Sequence, residues 1–363
     1  MIYFAYFIMI FAGLQLLIAL LNVVFRVNYG LYKTTADHLI SVIIPVRNES
    51  GKIENLLNDL TQQCYRNLEI IVVDDDSEDN SREIVTEKAV ADSRIQLISS
   101  GLPDSFWLGK NHACYRGAKA AKGKYLFFLD ADVRLKPEAI SSITGYFEKK
   151  RPVFLSVFPK QILENRGVKK VIPIMNYILL SLLPLFLVRR SGFSSISAAN
   201  GQFMFFDTDI YRAFEPHKRF KHEKVEDIQI ARFLKKKKMK IACLTGNDDI
   251  SCRMYDNYEE AMEGFSKNVA AFFGNSYLLA IIFWLITFTG IIWIMTFLPW
   301  FYTPIYILIT AGTRIFISIT SRQKVADNIL LHYTQLYNLG LLIKRSIKHK
   351  RNKTYQWKGR NIA

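Results

Sequence analysis

An α/β domain with a mostly parallel sheet, tethered by apolar helices near both ends of the chain, is the architecture this sequence predicts. Three observations predict it. From Leu39 onward, short runs rich in β-branched and aromatic residues alternate with segments of helical periodicity, the pattern of βαβ units. Two of those runs end in carboxylate clusters, Asp74-Asp75-Asp76 and Asp130-Ala131-Asp132. Stretches almost free of charge open the chain and recur after Tyr277, each close to the ~20 residues that cross a bilayer.

Residues 1–27 are apolar, broken by Gln15 and Asn22 and, near the end, by Arg26. A cleaved leader would need a basic start, a shorter apolar core and a small-residue cleavage site; these are not evident, so the segment is expected to be a retained transmembrane anchor. A globular domain is expected over 38–265. Leu39 to Pro45 is its first strand. Glu49 to Gln63 is a helix, with Ile53, Leu56, Leu57 and Leu60 on one face. Leu68 to Val73 is the next strand, followed by a short helix from Ser81 to Val90 that Ser77 or Asn80 can cap. Arg94 to Ile98 is a third strand, and Lys110 to Lys122 an Ala-rich helix. Tyr125-Leu126-Phe127-Phe128-Leu129 has no polar residue, so it reads as a strand buried on both faces. A helix opens at Glu226-Asp227, and Lys240 to Leu244 is a further strand. Within this domain 168–190 is apolar but holds Pro173 and Pro184; it is expected to lie on the membrane. Residues 276–320 form a transmembrane hairpin turned at Pro299 and Pro304. Residues 325–363 form an interfacial helix, interrupted by His332, Gln335 and Asn338, and a basic tail.

The chain carries a net charge of +16, concentrated in Lys235 to Lys240 and in the tail from Lys344 to Arg360. Beside membrane spans, such runs point to anionic lipid as the partner rather than nucleic acid. Arg26 and Lys33 follow the first span and nothing charged precedes it. By the positive-inside rule the globular domain is then cytoplasmic, in a multi-pass protein of the cell (inner or plasma) membrane. The four cysteines show no C-x-x-C spacing and are expected to be reduced and structural.

Ligands bind at the C-terminal ends of strands in open α/β sheets, where both acidic clusters fall. Carboxylates at i and i+2, as in Asp130 and Asp132, can converge on one hard cation that completes its shell with water and phosphate oxygens. Cleavage of a sugar–diphosphate bond needs such a cation, acceptors for the nucleotide, and a separate base for the incoming hydroxyl. Glu226-Asp227 supplies a third carboxylate pair, and Lys110 a cation for phosphates.

The ordered motifs Ser41-Val42-Ile43-Ile44-Pro45-Val46-Arg47-Asn48-Glu49, Val73-Asp74-Asp75-Asp76-Ser77, Phe128-Leu129-Asp130-Ala131-Asp132 and Glu226-Asp227 with Arg232 resemble those of family 2 glycosyltransferases, over roughly Leu39 to Met254. The resemblance implies a GT-A fold and inverting transfer from a UDP-sugar with Mn²⁺ or Mg²⁺. It implies that Pro45, Arg47 and Glu49 line the nucleotide pocket and that Asp75 holds the uracil. Asp132 would be the direct metal ligand with Asp130 nearer the ribose, Lys110 would face the diphosphate, and Asp227 would be the catalytic base supported by Glu226. A narrower likeness rests on Trp107-Leu108-Gly109-Lys110-Asn111-His112-Ala113-Cys114-Tyr115-Arg116-Gly117, Arg253-Met254-Tyr255 and Trp357-Lys358-Gly359-Arg360. These are similar to membrane-bound carotenoid-acid and hopanoid-associated glycosyltransferases, which implies a lipid or isoprenoid acceptor; the tail motif would fold back near the site. A polyprenyl-phosphate glycosyltransferase shares the same motifs and differs in acceptor, whereas a non-catalytic scaffold has no use for four intact aspartates.

Gln229-Ile230-Ala231-Arg232-Phe233 imitates a signature of processive synthases but lies too close to the base and carries Phe in place of Trp, so transfer of one sugar is expected. Asn200 or Gln202 are candidates to meet the acceptor. His112 is expected to cap or pack, His217 and His222 to lie in a polar loop, Asp248-Asp249 in a turn, and Lys235 to Lys238 to be solvated or lipid-facing.

Overall fold

The structure is a computed structural model of the chain; it describes residues 1–101, 107–352, 356–357 and 360–361, the last four by backbone alone. Lys358 and Gly359 of the tail motif lie outside the described residues. The chain divides into two compact units. One comprises Val27–Lys160 and Phe186–Cys252, the other Met1–Arg26, Gln161–Leu185 and Arg253–Ala363.

Strands of the first unit are β1 (Ile40–Val46), β2 (Leu68–Asp74), β3 (Ile95–Ser99), β4 (Tyr125–Leu129), β5 (Val133–Leu135) and β6 (Phe154–Phe158). They are followed by β7 (Lys160–Gln161, at the boundary), β8 (Phe203–Asp207), β9 (Ile241–Thr245) and β10 (Ile250–Cys252). Seven of them form one sheet in the order β3-β2-β1-β4-β8-β6-β9. Every pair is parallel except those of β8 with β4 and β6. All seven residues of β2 and all five of β4 are buried, the result of apolar runs covered on both faces.

The order reverses at β1, which has β2 on one side and β4 on the other. That reversal opens a crevice at the carboxyl ends of the two strands. Registers Val46↔Asp74 and Ile43↔Phe128 bring the residues after β1, β2 and β4 to the same edge of the sheet. β8 runs the other way, so Leu129↔Phe203 brings the turn before β8 to the end of β4. β10 pairs antiparallel with β5, Cys252 opposite Val133, and so sets the Cys252 thiol beside Asp132. The helix Gly109–Ala120 lies so close on the sheet that a Cβ at Gly117 would sit 2.4 Å from Cγ2 of Ile43. The helix Ser81–Ala91 receives no side-chain cap from Asn80. Ser77 is likewise diverted, its hydroxyl accepting from the Asn48 amide, and Asp79 instead accepts from the Ser81 amide at 3.0 Å.

The second unit is helical. Ile2–Val24, Tyr277–Phe297 and Tyr302–Ser321 are long and apolar enough to cross a membrane. The residues that interrupt the first apolar run have internal partners. Gln15 donates to the Ser181 hydroxyl at 3.1 Å. Asn22 donates to the carbonyls of Leu180 and Leu183 and accepts from the Leu185 amide at 2.8 Å. These bonds satisfy the C-terminal end of the helix Pro173–Leu182, whose last carbonyls have no partner of their own. With ten residues, about 15 Å of rise, that helix is half of what a bilayer crossing requires. Asn22→Leu is expected to strip three backbone groups of one partner at once. The expected loss is about 1–3 kcal/mol, read as a lower unfolding midpoint in detergent, with Gln15→Leu showing the smaller fall.

The third apolar helix carries a buried charge, Arg314. Its Nε donates to Nδ1 of His332 and its Nη1 to Oε1 of Gln335, both at 2.8 Å. The guanidinium sits 3.8 Å from the centre of the Tyr177 ring. Gln335 in turn donates to the Lys169 carbonyl and to Asn328, and Asn338 to the Lys170 carbonyl. The polar residues that break the run Asn328 to Ile343 are therefore the internal partners of Arg314 and of the 169–170 backbone, as a charge among apolar helices requires.

Candidate active site

The edge defined by β1, β2, β4 and β8 gathers the acidic motifs. After β1 the Arg47 guanidinium, 6% exposed, donates through Nη1 to the carbonyls of Asp75 and Asp76, each at 2.7 Å. It thereby braces the turn after β2. Pro45 pairs in register with Val73, and the Glu49 amide meets the Ser81 hydroxyl at 2.8 Å. Asp75 is buried; its amide donates to the Val46 carbonyl, and its carboxylate accepts from the Ser100 hydroxyl at 3.1 Å.

Lys110, in the first turn of the helix Gly109–Ala120, forms the centre of the site. Its Nζ lies 2.7 and 2.8 Å from the two Asp130 oxygens, 3.4 Å from the Gly201 carbonyl and 4.0 Å from Oε1 of Glu226. Burial acts to lower the Lys110 pKa, but the charges of Asp130 and Glu226 outweigh it and hold the ammonium firmly protonated. The helix Glu226–Lys236 buries Ile230, Ala231 and Leu234, which turns its first two residues into the site. Glu226 is 5% exposed. Its Oε1 has no hydrogen-bond partner among the described residues, and burial pushes its pKa up to about 7. Asp227 accepts from the Gly201 amide and from the Ile228 amide, each at 2.7 Å. Burial raises its pKa as well, against the pull of those two bonds.

Asp132 stands on the other side of Asp130. Burial, reinforced by the neighbouring charges of Asp130 and Glu49, raises it to about 7. Nε2 of Gln202 lies 3.3 and 3.2 Å from its two oxygens and 2.8 Å from Sγ of Cys252. A carboxylate driven toward neutrality by burial, with other carboxylates beside it, is a position where a bound cation lowers the energy. The oxygen donors suit Mg²⁺ or Mn²⁺. Among the described residues no three His, Cys, Asp or Glu side chains are placed to cage an ion, and Mg²⁺ is usually held by one or two carboxylates together with substrate phosphates and water. Asp130 and Asp132 fit that requirement.

The structure thus brings Lys110, Asp130, Asp132, Glu226 and Asp227 together, with Pro45, Arg47, Glu49 and Asp75 along the adjoining strand ends. Asn200 and Gln202 bond to each other at 3.3 Å and, through Gln202, to Asp132. Cys252 and Gly201 are the residues that sequence reasoning missed. The run Ala198-Ala199-Asn200-Gly201-Gln202 was the only signal for Gly201, and Cys252 had none. A Cβ at Gly201 would lie 3.1 Å from Oε1 of Glu226, 3.4 Å from Nζ of Lys110 and 3.6 Å from Oδ2 of Asp227. Gly201→Ala is expected to lower kcat about tenfold or more by displacing these groups, with the fold retained by circular dichroism.

Two expectations are corrected. His217 is not in a polar loop: it is fully buried, with Nδ1 2.8 Å from the Tyr211 hydroxyl and its ring against Phe128. Burial lowers its pKa to about 3, so it stays neutral. Lys235 is not solvated; it is buried and donates to the Ile196 carbonyl, while Lys236 to Lys238 are exposed. His112 packs edge-on against Trp107. Asp248 and Asp249 sit in the turn after β9, bonded to Lys160 and Tyr29.

A mixed, mostly parallel sheet with acidic groups at its switch-point edge defines a GT-A-like fold. Residues 41–214 match the family described as glycosyl transferase family 2. The chain is 28% identical over 240 residues to 4,4'-diaponeurosporenoate glycosyltransferase of Staphylococcus haemolyticus, a match that covers 64% of this chain and 61% of that one. It is 24% identical over 257 residues to the protein of the same name from Staphylococcus aureus, over 68% and 65% of the two chains. The chain therefore spans less than two thirds of the length of these relatives. Among solved structures it is similar to a mannosyltransferase from Pyrobaculum calidifontis in complex with GDP-Man and Mn²⁺. There the TM-score is 0.55 at 14% identity, covering 88% of this chain and 89% of that one, a likeness of fold.

Proposed function

We propose that this protein transfers a single sugar, a hexose, from a UDP-sugar to a lipid acceptor such as a carotenoid acid or another isoprenoid, with inversion at the anomeric carbon. The work would be done at the cytoplasmic face of the cell membrane. The observation that carries the reading is the convergence on Lys110 and Gly201 of one carboxylate group suited to a cation and another suited to proton transfer. Curated relatives that act on a carotenoid acid, by their names, and three helices able to cross a bilayer support an acceptor that resides in the membrane.

In this mechanism Asp227 takes the proton of the acceptor hydroxyl as its oxygen attacks the anomeric carbon. The backbone amides of Gly201 and Ile228 hold that carboxylate in place. Glu226 supports it, and Lys110 balances the charge of Asp130 and Glu226. Asp132, with Asp130, would hold Mn²⁺ or Mg²⁺; when bound, the ion supplies positive charge opposite the departing diphosphate. Pro45, Arg47, Glu49 and Asp75 shape the wall for the nucleotide.

The test is to incubate the purified protein with a panel of nucleotide sugars, Mn²⁺ and a total membrane lipid extract, and to follow the products by mass spectrometry. One hexose added to an isoprenoid acid or alcohol is the expected result. Sugar on a polyprenyl phosphate would move the acceptor to that class. Hydrolysis or transfer to water-soluble acceptors alone would overturn the reading.

A further inference from the structure

The turn Asn200-Gly201-Gln202 touches both halves of the site. The Gly201 amide donates to Asp227 and the Gly201 carbonyl accepts from Lys110. The Gln202 carbonyl accepts from the Asp130 amide at 3.1 Å, and its side-chain amide donates to Asp132. The turn is itself anchored on β6. The Ser156 hydroxyl accepts from the Asn200 amide at 2.7 Å and donates to the Asn200 carbonyl at 3.1 Å.

We propose that Gln202 is the positioning residue of the cation site: its carboxamide orients the Asp132 carboxylate and ties it through the turn to the base Asp227. The inference rests on the proposed role of Asp132 as cation ligand. Gln202 is 6% exposed, and its polar atoms are used. Nε2 faces the Asp132 carboxylate and Sγ of Cys252, while Oε1 faces the Asn200 amide nitrogen. The Asn200 carbonyl oxygen of the side chain accepts from the Gln202 backbone amide at 2.9 Å, which fixes the direction of the carboxamide. Packing alone would not select this residue, because methionine fills a similar volume in an apolar surrounding. What methionine lacks is the donor. Without it Asp132 has one fewer group to hold its plane, and a carboxylate that rotates freely binds a cation with a larger entropic loss.

The experiment compares wild type, Gln202→Met, Gln202→Glu and Asp132→Asn as full-length protein in lipid nanodiscs, and reads free Mn²⁺ by electron paramagnetic resonance. Gln202→Met is expected to weaken Mn²⁺ binding about 10–100-fold with the fold retained by circular dichroism in the absence of the ion. The KM for UDP-sugar should rise at low Mn²⁺ and recover when Mn²⁺ is saturating. Gln202→Glu, which sets a second carboxylate against Asp132 and removes the donor, should not restore wild-type activity at saturating Mn²⁺. Mn²⁺ affinity in Gln202→Met within about threefold of wild type, with Asp132→Asn devoid of binding, overturns the positioning role and leaves the cation reading intact. Wild-type affinity in Asp132→Asn overturns the cation reading itself.

Discussion

Asp227→Asn is expected to lower kcat by about 10²–10⁴-fold with an alcohol acceptor, while the KM for UDP-sugar changes little. A carboxamide cannot take a proton, whereas each oxygen of the native carboxylate keeps a further lone pair beyond its bond to the Gly201 or Ile228 amide. Glu226→Gln should cost less, since the role proposed for Glu226 is to support the base and not to replace it. Burial raises the pKa of Glu226 to about 7 and that of Asp227 above the ordinary carboxylate value, so activity is expected to rise with pH as the two carboxyl groups ionise. A carboxylic acid acceptor is already ionised near neutrality and needs no base. With such an acceptor the loss in Asp227→Asn should be much smaller. Equal losses on acid and alcohol acceptors, measured as initial rates side by side, would remove Asp227 from the role of base.

Asp132→Asn is expected to abolish Mn²⁺-dependent activity, a loss of about 10²–10⁴ in kcat/KM if the ion supplies several kcal/mol of charge stabilisation. The sign of the pH effect follows from the direction of the shift. Asp132 is raised to about 7 in the folded chain, above the ~3.9 of an unfolded aspartate. Between those values the native state holds the extra proton, so the ion-free protein loses stability as pH rises through that window. Mn²⁺ must displace the proton, so its affinity climbs over the same range. Thermal unfolding with and without Mn²⁺ should therefore show the larger stabilisation at about pH 7.5 and the smaller at about pH 5.5. Asp132→Asn should flatten both dependences. A stabilisation by Mn²⁺ that persists in this variant would place the ion elsewhere.

The carboxylates of the site were legible because strand ends and acidic clusters coincide in the sequence. Asp130 and Asp132 follow a run with no polar residue, and Glu226-Asp227 opens an amphipathic helix. Gly201 and Cys252 were not legible, since a glycine before a strand and a cysteine within one carry no pattern of their own. Their importance comes from β8 reversing direction beside β4 and from β10 pairing with β5. His217 and Lys235 misled for the opposite reason. Both stand among charged neighbours in sequence, yet the fold turns each inward onto a hydrogen-bond partner, the Tyr211 hydroxyl for one and the Ile196 carbonyl for the other. Gln15 and Asn22 likewise read as interruptions of an apolar run, and each proved to be the partner of a distant backbone or side chain.

By itself the sequence determined the alternation of buried strands and amphipathic helices, the apolar segments and the chemical types at the strand ends. All of these are local properties, set by periodicity and composition over a few turns or one strand. Only the tertiary structure decided which polar groups meet. Hydrogen bonding over 2.7–3.4 Å, as between Lys110, Gly201 and Asp227, depends on strand register and direction, and no spacing along the chain encodes either.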